Sequence, residues 1–179
     1  MTERGNPGEP LSGLVQRPDL VAPPGFADAL AAWPAAVTLV TVADGRDDIG
    51  TTVSAFCPVS VSPPLVLISL IADSYPAEVL RRLNSFAVTL LSAQQRVLAG
   101  RFAVSGRPAA RHLLENVPHH RGRHSGALIG DNGLAAFECE VETRVPAGDH
   151  LLLVARVVAV PYVAESGDPL IRFRGGYIR

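Results

Sequence analysis

The chain has 179 residues, 47% of them hydrophobic and 18% charged, with a formal net charge of −1. That length can bury a real core within one domain, and so small a charge gives no bulk attraction to nucleic acid. All 16 basic residues are arginine, which excludes lysine chemistry such as a Schiff base.

Residues 1–24 are rich in Pro and Gly with scattered charges, which predicts a flexible arm preceding a domain over residues 25–179. The arm has no apolar h-region, and no apolar run in the chain is long enough to span a bilayer. Phe26, Leu30 and Trp33 follow at helical spacing, ending at Pro34. Residues 36–43 (AVTLVTVA) predict a core strand, and Asp44-Gly45 marks a hairpin turn.

Residues 50–71 (GTTVSAFCPVSVSPPLVLISLI) carry the most informative pattern. From 52 to 62 the odd positions, Val53, Ala55, Cys57, Val59 and Val61, are apolar, and Thr52, Ser54, Ser60 and Ser62 carry hydroxyls on the even side. Period-two alternation predicts one strand with a buried and a polar face. Phe56 and Pro58 interrupt the polar side, and Pro58 requires a bend, bulge or edge there. Pro63-Pro64 ends the strand, and residues 65–71 read as a strand covered on both faces. A strand of small hydroxyl side chains with a ragged edge suits a flat, anionic, hydrogen-bonding ligand. On spacing alone, a solvated sheet face is the favoured reading of the same pattern.

Residues 74–83 predict a helix with Pro76 in its first turn and Val79, Leu80 and Leu83 on one face. Residues 86–91 (FAVTLL) predict a buried strand. Ser92 and Gln95 form a capping box for a helix running to Phe102. A short helix over 108–115, a loop with three histidines over 116–125 and a turn at 130–133 follow. Over 135–144, Phe137, Cys139, Val141 and Thr143 face one way, and Glu138, Glu140, Glu142 and Arg144 the other. A turn at 146–149 leads into a long strand over 150–160, and 169–173 forms a last short one. The sum is six or seven strands with two or three short helices. Short connections make the sheet mainly antiparallel, in a closed barrel.

Chemistry-bearing groups are sparse. Cys57 and Cys139 fall on apolar registers and read as reduced core residues, which suits a cytoplasmic protein. Cys57 has no activating neighbour that would make it a nucleophile. His119, His120 and His124 sit in an arginine-rich loop and read as solvated rather than metal-ligating. Neither a dinucleotide-binding glycine fingerprint nor a P-loop is present. The Gly148-Asp149-His150 turn can supply a proton donor, a ligand contact or a plain hairpin cap. Arg172, Arg174 and Tyr177 can hold a phosphate, stack on a ring or form a solvated tail.

Six segments in order resemble the flavin reductase family, whose members have a mainly β, split-barrel flavin-binding fold with short helices and antiparallel, Greek-key-like strands. They are Trp33-Pro34 with residues 37–42; Gly50, Thr52, Ser54, Phe56, Ser60, Pro63, Pro64 and Leu65; and Phe86, Ala87, Val88, Leu91, Ser92 and Gln95. Glu138-Cys139 with Val141, Gly148 to His150, and Pro169, Leu170, Gly175 and Tyr177 complete the series. The chain departs from the pattern at Ala55, Thr89 and Ala155.

The resemblance implies a homodimer that transfers a hydride from NADH or NADPH to FMN or FAD and supplies reduced flavin to a partner monooxygenase. It implies no nucleic-acid or membrane partner and no metal. It places the flavin against Thr51, Thr52, Val53, Ser54, Ala55, Val59 and Ser60, bordered by Ser69, Leu70, Ser74 and Phe86. Arg101 would reach the phosphate. His150, the catalytic candidate, and Tyr177 would lie on the nicotinamide side. A non-catalytic flavin carrier, or a flavoenzyme acting on an organic substrate, would use the same barrel.

Overall fold

The computed structural model describes residues 21–45 and 47–178. Most of the arm expected over residues 1–24 therefore lies outside the described residues. The elements are α1 (Phe26–Ala31), β1 (Ala35–Ala36), β2 (Thr38–Ala43), β3 (Asp48–Val53), β4 (Phe56–Ser60), β5 (Leu65–Ile71), α2 (Tyr75–Arg82) and β6 (Ser85–Leu90). A 3-10 turn (Ala93–Gln95) leads into α3 (Arg96–Ala103), α4 (Ala110–Leu113), β7 (His119–Arg121) and β8 (Leu128–Gly130). Then come β9 (Ala135–Ala147), β10 (His150–Val163), β11 (Ile171–Phe173) and β12 (Gly176–Ile178).

Seven strands form one antiparallel sheet in the order β3-β2-β6-β9-β10-β5-β4. Its two edge strands, β3 and β4, are consecutive in the chain. The sheet therefore curls until the edges meet at Ser54-Ala55, where the chain passes from one edge to the other. Ladder pairing does not close this barrel as the sequence suggests, and a split remains beside β3. The Ser69 N–H donates to the Ala55 carbonyl at 3.0 Å and pins the crossing.

The crossing corrects the reading of residues 52–62. One strand becomes two, and the register turns over between them. Val53 is buried, but Val59 is 50% and Val61 94% exposed, and Cys57 is exposed as well. Phe56 is the inward residue of β4, its ring stacked on Phe137 at 6.0 Å. A bulge between Pro58 and Ser60 answers the missing proline donor. β5 also differs from expectation. Val66, Ile68 and Leu70 are buried, whereas Leu65, Leu67 and Ser69 are half-exposed and Ile71 exposed.

Elsewhere the local signals and the structure agree. β2 and β3 form the hairpin, pairing Ala43 with Asp48 through Thr38 with Val53. β2 is buried on both faces, with Val40 and Val42 in the barrel core and Leu39 in a second core under α3 and α4. A continuous β-branched run suits a strand covered on both sides. Ser74 caps α2 through the Ala77 N–H, and Val79 and Leu80 pack into the barrel core. At the start of the 3-10 turn the Gln95 side chain accepts the Ser92 N–H at 3.0 Å, and Leu98, Ala99 and Phe102 then carry α3 onto the second core. The 116–125 loop corrects another expectation, because it contains β7, paired with β8.

Glu138, on the charged face of β9 with Glu140 and Glu142, is nevertheless 2% exposed. Its carboxylate accepts the N–H groups of Arg123 (3.2 Å), His124 (2.9 Å) and Ser125 (2.7 Å) and the Ser125 hydroxyl (2.8 Å). Burial pushes its pKa up, but the hydrogen bonds from Ser125, His124 and Arg123 outweigh that and hold it below the usual glutamate value. A depressed folded-state pKa contributes stability that is complete above the unfolded value and lost as pH falls through the folded one. Thermal unfolding followed across pH 3–6 is expected to drop below roughly pH 4.5, and Glu138→Gln is expected to flatten the drop. Equal pH slopes for the two proteins would contradict this assignment.

Candidate functional site

The split beside β3 opens a cleft of about 340 Å³. β3 and the crossing contribute Thr51, Thr52, Val53, Ser54 and Ala55, while β5 and the following turn contribute Ser69, Leu70, Ile71 and Ser74. Among the described residues β3 ladders with β2 alone, so apart from the Gly50 carbonyl, which accepts Arg107 Nε, its outer backbone groups are open to a ligand. The side chains that β3 and the crossing present here are short, so the backbone can be approached closely. Ala55, a departure from the family pattern, costs one hydroxyl but leaves the wall open. Thr89, another departure, is 1% exposed within β6 and takes no part in the wall.

His150 closes one side of the cleft at the start of β10. The β9–β10 hairpin places it there, with His150 paired to both Ala147 and Ile71. Its Nδ1 pairs with Asp149 Oδ1 at 2.7 Å, which leaves Nε2 available to a ligand. The hydrogen bond from His150 lowers the Asp149 pKa, so Asp149 stays ionised.

Arg107, which no sequence pattern singled out, supplies the cation. It follows α3, lines the cleft beside Ser105, and is held by hydrogen bonds from Nε to the Gly50 carbonyl and from Nη1 to the Val104 carbonyl, the latter at 3.0 Å. Burial lowers its pKa from the usual arginine value. An anion beside it would offset that cost.

The structure thus gathers Thr51, Thr52, Val53, Ser54, Ala55, Ser69, Leu70, Ser74 and His150 around one cleft. Four other expected residues, Val59, Ser60, Phe86 and Arg101, are not among those lining it. Val59 and Ser60 lie farther along β4, past the crossing, where Val59 faces outward. Phe86 is 0% exposed in the barrel core, because it sits on a central strand and points inward. Arg101 is exposed on α3. Tyr177 borders a small hollow of about 50 Å³ that shares Thr52 and Ser54 with the main cleft, and Arg96 lies 5.9 Å over its ring.

The family model described as flavin reductase like domain matches residues 30–179. The chain belongs to the flavin reductase family. It is 34% identical over 152 residues to an NADH-dependent FMN reductase of Streptomyces nodosus subsp. asukaensis, covering 85% of this chain and 82% of that one. It is likewise 34% identical over 154 residues to the reductase component of a 4-hydroxyphenylacetate 3-monooxygenase of Thermus thermophilus, covering 86% and 94%. Among solved structures, an NADH:FAD oxidoreductase of Streptomyces globisporus C-1027, in complex with NAD and FAD fragments, superposes with a TM-score of 0.79. The identity is 28%, over 89% of this chain and 96% of that one. The curled seven-stranded sheet is accordingly the split-barrel fold of flavin reductases.

The residues around the cleft fit a flavin. Hydroxyls and an unpaired strand edge match a flat ring with polar edges, and a fixed guanidinium matches a phosphate. Val53 and Leu70 give it an apolar floor.

Proposed function

We propose that this protein is an NADH-dependent flavin reductase that delivers reduced flavin to a partner monooxygenase. The observation that carries the reading is the cleft at the β3–β4 crossing. It joins an open strand edge, small hydroxyls, a held arginine and a histidine in one place. When bound, the flavin supplies the hydride-accepting chemistry, and the protein supplies position and alignment.

Each side of the cleft has a separate task. Thr51, Thr52 and Ser54 offer hydroxyl and backbone groups to the ring. Arg107, with Ser74 and Ser105 near it, holds the phosphate end. Val53, Leu70 and Ile71 keep water from the apolar faces. His150, oriented by Asp149, seats the nicotinamide donor through Nε2.

NADH mixed with the protein and FMN or FAD is expected to lose absorbance at the nicotinamide band. His150→Ala is expected to raise KM for NADH by about fivefold, the loss of one hydrogen bond, with flavin affinity unchanged. Absence of turnover with either flavin would reject the reading.

The working form is proposed to be a cytoplasmic homodimer. Trp33 (75% exposed), Leu30 (59%), Ile71 (60%) and Val61 (94%) are apolar surface that a second copy would cover. Among the described residues, no helix is long and apolar enough to cross a membrane.

A further inference from the structure

A larger cleft, about 520 Å³, lies beside the flavin cleft and meets it at Ser54 and Ala55. Leu30 of α1 and Trp33 just after it form one wall, the laddered pair Cys57 and Leu67 of β4 and β5 another, and Arg172 of β11 a third. The walls are tied together. The Arg174 N–H donates to the Ala31 carbonyl at 2.7 Å, joining the β11–β12 hairpin to α1, and Arg172 pairs with Ala35 across β1 and β11. A cavity of this size, mainly apolar with a few polar groups, is the usual form of a small-molecule site.

Two features define what fits. Arg172 carries the one charge among the residues lining this cleft. It is exposed, and its guanidinium has no hydrogen-bond or ion-pair partner among the described residues. Trp33, the single tryptophan of the chain, is 75% exposed on the same cleft. A guanidinium takes a carboxylate through two parallel hydrogen bonds, and an exposed indole flanked by leucines favours a ring. With no second cation on its walls, the cleft matches one negative charge rather than the two of a pyrophosphate.

We infer that this cleft binds a small aromatic carboxylate, with the ring beside Trp33 and the carboxylate on Arg172, at a site separate from that of the flavin. A second copy of the chain, for which Trp33 and Leu30 are also proposed as surface, would roof the cleft rather than fill it. The site stands on its own walls and charge, whatever occupies the flavin cleft.

Titration of the purified full chain with hydrocinnamate, followed by Trp33 fluorescence and by calorimetry, tests this. Hydrocinnamate is expected to bind at least about tenfold more tightly than hydrocinnamyl alcohol, the order of one hydrogen bond to a charged group. Arg172→Gln should abolish that advantage and keep the affinity for the alcohol. Saturating FMN should leave the acid bound. Cys57 gives a second readout, because it is exposed while Cys139 is buried, its thiol pushed up to about 12 by burial. The acid at about ten times its Kd should slow alkylation of Cys57 about tenfold. Absence of binding, equal affinity for acid and alcohol, or an advantage that survives Arg172→Gln would overturn the inference and leave the flavin site standing. Displacement of the acid by FMN would merge the two clefts into one site, and displacement by NADH would assign this cleft to the nicotinamide cofactor; either would overturn it equally. A Cys57 that resists alkylation without the acid would show a second copy filling the cleft, which would also overturn it.

Discussion

Thr52→Trp is expected to abolish flavin binding while leaving the fold intact. Thr52 is half-buried and lines both the main cleft and the small hollow near Tyr177. An indole here would grow into open volume rather than into the packed core. It would occupy the space against the β3 edge and cover the backbone groups a flavin needs. A loss of at least about 100-fold in affinity, or about 2.7 kcal/mol, is expected. Fluorescence titration reads the loss, and thermal melting within a few degrees of the parent shows that the fold survives. Unchanged affinity in a folded Thr52→Trp protein would mean that the flavin sits elsewhere.

Gly50→Ala is expected to act from the opposite direction, damaging the core and through it the site. A Cβ at Gly50 would lie 2.4 Å from Phe102 Cε1, 2.9 Å from Phe102 Cδ1 and 3.2 Å from the Ala110 Cβ. Phe102 is 0% exposed between α3 and the sheet, so its ring has nowhere to turn. Overpacking of this kind costs about 1–3 kcal/mol, or roughly 3–10 °C in melting temperature for a chain of this length. The Gly50 carbonyl also receives Arg107 Nε, so displacement of β3 would carry the cation with it. Weaker flavin binding should accompany the lower melting temperature. A protein as stable as the parent would show that α3 can move away from β3 freely, contrary to the packing described above.

Local chemistry made much of the fold legible. Asp44-Gly45 announced the hairpin, Ser74 with Pro76 the start of α2, and Ser92 with Gln95 the turn before α3, because each signal acts over a few residues. The turnover at Ser54-Ala55 was hidden for a physical reason. Alternation of apolar and polar residues persists across it, yet the crossing rotates the chain, and the apolar side chains of β4 end up on an outer face. Cys57, Val59 and Val61 look like core in the sequence and face outward in the single chain.

The site divided along the same line. Thr51 to Ala55 came together with Ser69, Leu70 and Ser74 because β3 and β5 flank the split. Arg107 escaped notice because its role depends on where α3 ends, and nothing near it in sequence marks a ligand. Arg101 and Phe86, implied by resemblance, are not among the residues lining the cleft. One is on the solvent side of a helix, and the other is inside the barrel.

A crystal structure of the protein grown with excess FAD is the most direct test of the central claim. Density for the ring between Thr51 to Ala55 and Ser69 to Ile71, with the phosphates at Arg107, is the predicted result. A flavin bound anywhere else on the molecule, or a cleft that stays vacant under saturating FAD, would contradict it.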